Sequence, residues 1–130
     1  MLKLNYLTGN FMRIVYESDK VKRQCEDLKT ATKLFGGDKD MAIKLMSRIN
    51  AIEQAVIIKD IIAMPPLRFH KLRGKMEGLF AIDVKSRRDP WRIIIQPLDE
   101  NEKEYKPCNI DEIAGFVKIV GIKEVSQHYE

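Results

Sequence analysis

The residues that could do acid–base or phosphate chemistry are most concentrated in one stretch of 25 residues, Arg68 to Arg92. This stretch has eight basic residues and three acidic ones, a net charge of +5, whereas the whole chain carries +4. It also holds His70, one of two histidines, and Trp91, the only tryptophan. A positive charge concentrated in this way favours a polyanionic partner. The basic residues are Arg68, Lys71, Arg73, Lys75, Lys85, Arg87, Arg88 and Arg92.

Side chains of these types can cleave RNA without a metal ion. RNA carries its own nucleophile, the 2′-hydroxyl beside the scissile phosphate, so the protein must remove that proton, stabilise the phosphorane and protonate the leaving oxygen. Histidine and lysine can exchange protons, and arginine binds phosphate oxygens in a bidentate manner. DNA lacks the 2′-hydroxyl, so such a site favours RNA. The same basic residues are also consistent with a solvated hairpin or with a patch that binds an acidic protein.

No motif in the sequence indicates a metal ion or a cofactor. The chain has no GxGxxG, GxxxxGK[ST] or HExxH pattern, and Cys25 and Cys108 lack the CxxC spacing of a zinc site. Asp83 and Asp89 lie among arginines, and we expect them to balance those charges. The sequence therefore predicts no metal and no cofactor.

Length and composition are those of one globular domain. The chain has 130 residues, of which 45% are hydrophobic and 32% are charged. Two cysteines that form no disulfide framework fit a reducing cytoplasm. The longest uncharged run, Leu4 to Met12, is too short and too polar for a membrane span or a secretory signal, so no membrane association is expected.

The elements that must position the basic stretch can be read from the periodicity. Residues 1–11 are interpreted as an extension and residues 12–130 as the domain. Arg13 to Glu17 is typical of a short strand. Apolar residues then recur every three or four positions in two segments, separated by Gly36-Gly37, and predict a helical hairpin. Cys25 lies on the apolar side of the first helix, and we expect it in the core.

After Pro65-Pro66 the period becomes that of strands. Leu79 to Lys85 and Trp91 to Gln96 predict an antiparallel hairpin, and Phe116 to Val125 predicts a last strand. The expected fold is α+β, in the order β-α-α-β-β-β, with an antiparallel sheet packed against an N-terminal helical hairpin.

Several short motifs, taken in order, resemble the RelE/ParE superfamily, and in particular the HigB-type toxins of type II toxin–antitoxin systems. The segment FHKLRG resembles the His-x-Leu-Lys/Arg-Gly motif of that family, and GLFAIDV and WRIIIQP resemble two of its strands. The last segment, IKEVSQHYE, resembles its C-terminal strand and tail. The resemblance covers roughly Met12 to the end of the sequence.

This resemblance implies an mRNA interferase that cleaves message in the ribosome and is neutralised by a cognate helix-turn-helix antitoxin. It places His70 at the catalytic histidine, Arg73 at a basic site residue, and Arg92 at the strand arginine that contacts the scissile phosphate. In the tail, His128 and Tyr129 match the family's Tyr-His pair in exchanged order. Further residues are expected to bind RNA: Arg68, Lys71, Lys85, Arg87 and Arg88.

Two neighbouring residues of the second predicted strand, Trp91 and Arg92, need a separate interpretation. Arg92 lies among Ile93, Ile94 and Ile95, so its charge needs a carboxylate or a phosphate. Trp91 is expected to pack rather than to stack on a base.

An alternative function for the whole chain is a non-catalytic module of the same fold that inhibits a target such as gyrase.

Overall fold

The computed structural model describes residues 11–128, and in this range the chain forms an α+β fold with five strands and five short or medium helices. The predicted extension, residues 1–11, lies outside the described residues except for Phe11, and so does Tyr129. No helix within the described range is long and apolar enough to cross a membrane. The strands are β1 (Arg13–Tyr16), β2 (His70–Lys71), β3 (Phe80–Asp83), β4 (Trp91–Leu98) and β5 (Ile119–Gln127). The helices are α1 (Asp19–Glu26), α2 (Leu28–Leu34), α3 (Lys39–Gln54), α4 (Ile58–Ile62) and α5 (Ile110–Ile113).

The first predicted helix is in fact two helices, α1 and α2, which meet at Asp27. The Asp27 backbone is extended (φ −110°, ψ 118°), and its carboxylate accepts a hydrogen bond from the Thr30 amide at 2.8 Å. Aspartate competes in this way with helical hydrogen bonds and favours a new N-cap over a continuous helix. The Thr30 hydroxyl also donates to this carboxylate, and the two bonds, that from the hydroxyl first, lower the pKa of the Asp27 carboxyl.

The turn that separates α2 from α3 forms as predicted. Gly36 and Gly37 both adopt positive φ, +65° and +98°, which a residue with a Cβ atom rarely tolerates. Asp38 then caps α3, since its Oδ1 accepts from the Met41 amide at 3.1 Å.

The prediction of an antiparallel sheet is wrong for one pair of strands. The order in the sheet is β1-β5-β4-β3-β2, and β1 runs parallel to β5, with Arg13 opposite Ile119. The other three pairs are antiparallel. Alternation of apolar residues reports which face of a strand is buried, but it does not report the direction of the neighbouring strand. Strand β2 was not predicted either, because two residues are too few to show a period.

The two faces of the sheet are unequal. The helices cover one face with the main core, which includes Phe80, Ile82, Ile93 and Ile122 from the strands. Trp91 joins this side and packs edge to face on Phe35, with ring centroids 4.8 Å apart, which confirms its predicted packing role. On the opposite face is a small second cluster of Leu72, Ala81 and Ile94. Polar groups of a site are therefore expected on this second face, which no helix covers with the main core.

We predict that the two cysteines differ in reactivity. Cys25 is only 1% exposed, and burial raises the pKa of its thiol to about 12. Cys108 is partly exposed, although burial also raises its pKa. A disulfide reagent should therefore modify Cys108 in the native protein and reach Cys25 only after denaturation. A Cys108→Ser variant that still reacts rapidly in the native state would contradict the core position of Cys25.

Candidate functional site

One pocket brings together many of the predicted site residues. It lies beside β2, at the edge of the sheet, and has a volume of about 470 Å³. Among the described residues its lining has cationic and titratable basic side chains and one leucine, without any carboxylate. The lining residues are Arg68, His70, Lys71, Leu72, Arg73 and His128.

The strand register explains why the two histidines meet. His70 stands opposite Ala81 in β3, and Ala81 stands opposite Ile94 in β4, so His70 shares the face of the second cluster. Ser126 in β5 stands opposite Arg92, two residues from Ile94 on the same face of β4. His128 follows Ser126 by two residues, and its amide donates to the Pro90 carbonyl at 2.8 Å. Because side chains alternate between faces, His128 returns to the face that carries His70.

The hydrogen bond of the His70 ring defines which nitrogen can accept a proton. Nδ1 lies 2.7 Å from the Arg68 carbonyl oxygen, which can only accept a hydrogen bond, so Nδ1 carries a hydrogen. In the neutral ring, the basic lone pair is then on Nε2. The Arg68 residue that supplies this carbonyl adopts a left-handed conformation (φ 46°, ψ 55°), which is uncommon for a residue other than glycine.

Asp83 is a buried carboxylate that binds Arg68, one of the residues that line this pocket. It is 1% exposed and accepts a bidentate pair of bonds from Arg68, Nε to Oδ2 at 2.9 Å and Nη2 to Oδ1 at 3.0 Å. The Arg92 Nε lies 3.2 Å from the same Oδ1. The expectation that Asp83 balances arginines is confirmed. A carboxylate buried without such partners would be costly, and two guanidinium groups remove that cost.

Arg92 lies inside the fold and does not line the pocket. It is 2% exposed, and besides Asp83 its guanidinium donates to the carbonyls of Trp91 at 2.9 Å and Arg87 at 3.0 Å. It also bonds to the carbonyls of Ser86 and Asp89. The Asp83 carboxylate is therefore the counter-charge that the sequence required for Arg92. A contact to the scissile phosphate, which the family resemblance implied, does not fit this position.

The remaining predicted RNA-binding residues lie outside the pocket. Lys85, Arg87 and Arg88 are exposed on the turn between β3 and β4. Asp89 shapes the end of that turn, because its carboxylate accepts from the Trp91 amide at 3.0 Å. These three cations form a separate basic turn on the surface. No group of three or more His, Cys, Asp or Glu within residues 11–128 is arranged to hold a metal ion.

One residue that supports the site had not been identified from the sequence. Arg48 on α3 donates from Nε to the Asp83 carbonyl at 3.1 Å, and from Nη2 to the carbonyls of Pro66 at 3.4 Å and Lys85 at 3.5 Å. It thus ties the helical layer to the turn before β2 and to the end of β3. No local signal in the sequence distinguishes Arg48 from the other charged residues of α3.

We predict that Arg92 contributes mainly to stability. Replacing Arg92 by Ala leaves the buried Asp83 short of one partner and should lower the free energy of unfolding by about 3–5 kcal/mol. Arg87→Ala is the matched control, because it keeps the backbone carbonyl that Arg92 uses, and it should change stability by less than about 0.5 kcal/mol. Urea denaturation of the two variants measures both values. An Arg92→Ala protein as stable as the wild type would show that this burial is not needed for the fold.

Similarity between this chain and known proteins is limited to solved structures. No protein-family model and no curated protein matches the chain. Among solved structures it is similar to a YoeB/ParE toxin from Agrobacterium tumefaciens, with a TM-score of 0.46 and 12% sequence identity, over 91% of this chain and 100% of that chain. A likeness of this extent carries no conclusion about function.

Proposed function

We propose that this protein is a metal-independent endoribonuclease, the toxin of a type II toxin–antitoxin system, which cleaves mRNA on the ribosome. The observation that carries the proposal is the convergence of His70 and His128, with Lys71 and Arg73, on one cationic pocket. Two groups that can exchange protons and two that bind phosphate are what RNA cleavage through the 2′-hydroxyl requires.

In the proposed mechanism, His70 Nε2 accepts the proton of the 2′-hydroxyl. Because this nitrogen is buried in the structure, RNA binding must expose it to the substrate. The 2′-oxygen attacks the adjacent phosphorus, and the P–O5′ bond breaks. His128, in its protonated form, donates to the leaving 5′-oxygen; Tyr129 is the other candidate for this step. The products are a 2′,3′-cyclic phosphate and a 5′-hydroxyl, and Lys71 and Arg73 stabilise the charge on the pentavalent phosphorus.

The biological setting in this proposal comes from the motif resemblance. The ordered motifs around His70, Gly78 to Val84 and Trp91 to Pro97 support a HigB-like member of the RelE/ParE superfamily. The partners are then ribosome-bound mRNA and a cognate helix-turn-helix antitoxin, and the site of action is the cytoplasm. The site itself supports RNA over DNA, because its chemistry uses the 2′-hydroxyl.

We predict that His70→Ala abolishes toxicity and message cleavage without unfolding the protein. Loss of the general base should slow cleavage by about 10²- to 10⁴-fold. Mapping message 5′ ends after induction, in cells that express the wild type or the variant, measures this loss. Lys29→Ala, an exposed change on α2, is the control and should cleave like the wild type.

Growth arrest with intact messages would contradict the proposal. If DNA damage accompanied the arrest, the protein would instead act as a non-catalytic inhibitor of a target such as gyrase. Cleavage that persists in a folded His70→Ala protein would exclude His70 as the base but would leave the endonuclease activity in place.

A second prediction concerns the basic turn of Lys85, Arg87 and Arg88. Changing all three residues to Ala should weaken RNA binding most at low salt. It should also reduce the slope of log affinity against log salt by about 0.7 for each phosphate that the turn no longer neutralises. Binding of a single-stranded RNA at several salt concentrations measures the slope. An unchanged slope would show that this turn does not touch the RNA backbone.

A further inference from the structure

We infer that Arg68 is a positioning residue that holds the His70 ring in the tautomer that can act as a base, and that Asp83 anchors it. In its consequence for cleavage this inference rests on the proposed function. The part that concerns the ring itself does not, because the contacts that carry it are all within the protein.

The anchor is the end of β3. Asp83 stands opposite Arg92 in the register of β3 and β4, and Arg48 donates to the Asp83 carbonyl from the helical layer. The Asp83 backbone is therefore fixed by the sheet and by Arg48 of α3, and its carboxylate is held by Arg92. Arg68 binds it with two nearly parallel bonds of 2.9 and 3.0 Å. A bidentate arginine–carboxylate pair fixes direction as well as distance, which a single ammonium group does not.

The Arg68 backbone connects this anchor to the histidine. Its amide donates to the Pro65 carbonyl at 3.0 Å and closes the turn Pro65–Leu67. Its φ of 46° lies in the left-handed region, which is strained for a residue with a Cβ atom. Surrounding contacts must maintain such a conformation, and the ion pair to Asp83 is one that the side chain of Arg68 provides itself. In this conformation the Arg68 carbonyl faces His70 Nδ1 at 2.7 Å.

The consequence is chemical rather than only structural. A neutral histidine free in water favours the tautomer with hydrogen on Nε2, in which Nε2 cannot accept a proton. The carbonyl of Arg68 selects the opposite tautomer, so that Nε2 carries the lone pair. Arg68 was expected from the sequence to bind RNA. Its side chain is instead engaged with Asp83, and the role we assign to it acts through His70.

The test is to observe the His70 ring by NMR in protein labelled with ¹⁵N-histidine, at a pH where the ring is neutral by its own titration. His128→Gln assigns the signals, because the chain has only two histidines. In the wild type the His70 Nδ1 should carry the hydrogen. In Arg68→Lys, which keeps the charge but removes the bidentate fork, Nε2–H should appear as the main form or as a large fraction. Arg73→Ala lies in the same pocket and should leave the tautomer unchanged.

Arg68→Gly adds a second variant, because glycine adopts a left-handed backbone freely but cannot bind Asp83. It should also lose the fixed tautomer, since the carbonyl is no longer held. Isoleucine methyl spectra show whether each variant keeps the native core. A folded Arg68→Lys and a folded Arg68→Gly that both retain hydrogen on Nδ1 would overturn the inference.

Single-turnover cleavage of ribosome-bound message separates this inference from the proposed function. Arg68→Lys should lower kcat by about 10- to 100-fold, the scale of a misplaced catalytic group, with little change in KM. Arg73→Ala should lower kcat and, unlike Arg68→Lys, should also raise KM. If the wild type does not cleave RNA but the tautomer shifts in Arg68→Lys, the proposed function fails while the positioning role stands. If the wild type cleaves and Arg68→Lys cleaves equally well, the positioning role fails alone.

Discussion

The ion pairs of the buried Asp83 carboxylate with Arg68 and Arg92 are the interactions on which the rest of this structure depends. The carboxylate lies at the end of β3, between a guanidinium from β4 and one from the turn before β2. A buried ion is tolerated only if its partners compensate for the water removed from it, so the three side chains must assemble together or not at all. Because Arg92 also holds the β3–β4 turn and Arg68 also contacts His70, one charge cluster couples the hairpin to the pocket.

The rest of the sheet serves to bring distant residues to this cluster. The pairing of β2 with β3, β3 with β4, and β4 with β5 carries the alternation of faces across four strands without interruption at the site. The irregularity in the ladder lies farther along, between Ile94 and Ile95. His128 and His70 therefore lie on one side of the sheet, although most of the second half of the chain separates them. The main core occupies the other face, and this face carries the two histidines beside the small apolar cluster of Leu72, Ala81 and Ile94.

Local properties of the fold and the β3–β4 hairpin could be predicted from the sequence, whereas the pairings of β1 and β2 could not. The Gly36-Gly37 turn, the cap at Asp38, the core position of Cys25 and the packing of Trp91 all follow from residue type and period. The break at Asp27 was missed because aspartate within an apolar period can cap a helix or merely face solvent. The parallel pairing of β1 was missed because alternation is the same in both directions.

For the candidate site, too, some features could be predicted from the sequence and others could not. The motifs predicted site roles for His70, Arg73 and His128. The structure places these three residues around one pocket, and their catalytic role stays a prediction. For Arg92 the sequence indicated correctly that a counter-charge was needed, but it could not choose between Asp83 and a phosphate. The choice depends on strand register, which places Asp83 directly opposite. Arg48 gave no signal, because its partners are backbone carbonyls that any sequence provides.

The position of β5 within the sheet has a consequence for the timing of folding. This strand lies between β1 and β4, yet it follows every other strand in the chain. Strand β1 can therefore pair only after β5 is present, since Arg13 stands opposite Ile119. Contacts between residues so far apart in sequence form late, because the intervening chain must first be ordered. During synthesis the sheet therefore stays open until the segment that carries His128 has left the ribosome tunnel. Under the proposed function, a nascent chain would lack the complete pocket until the segment that carries His128 has emerged, so the ribosome would be shielded from cleavage up to that point.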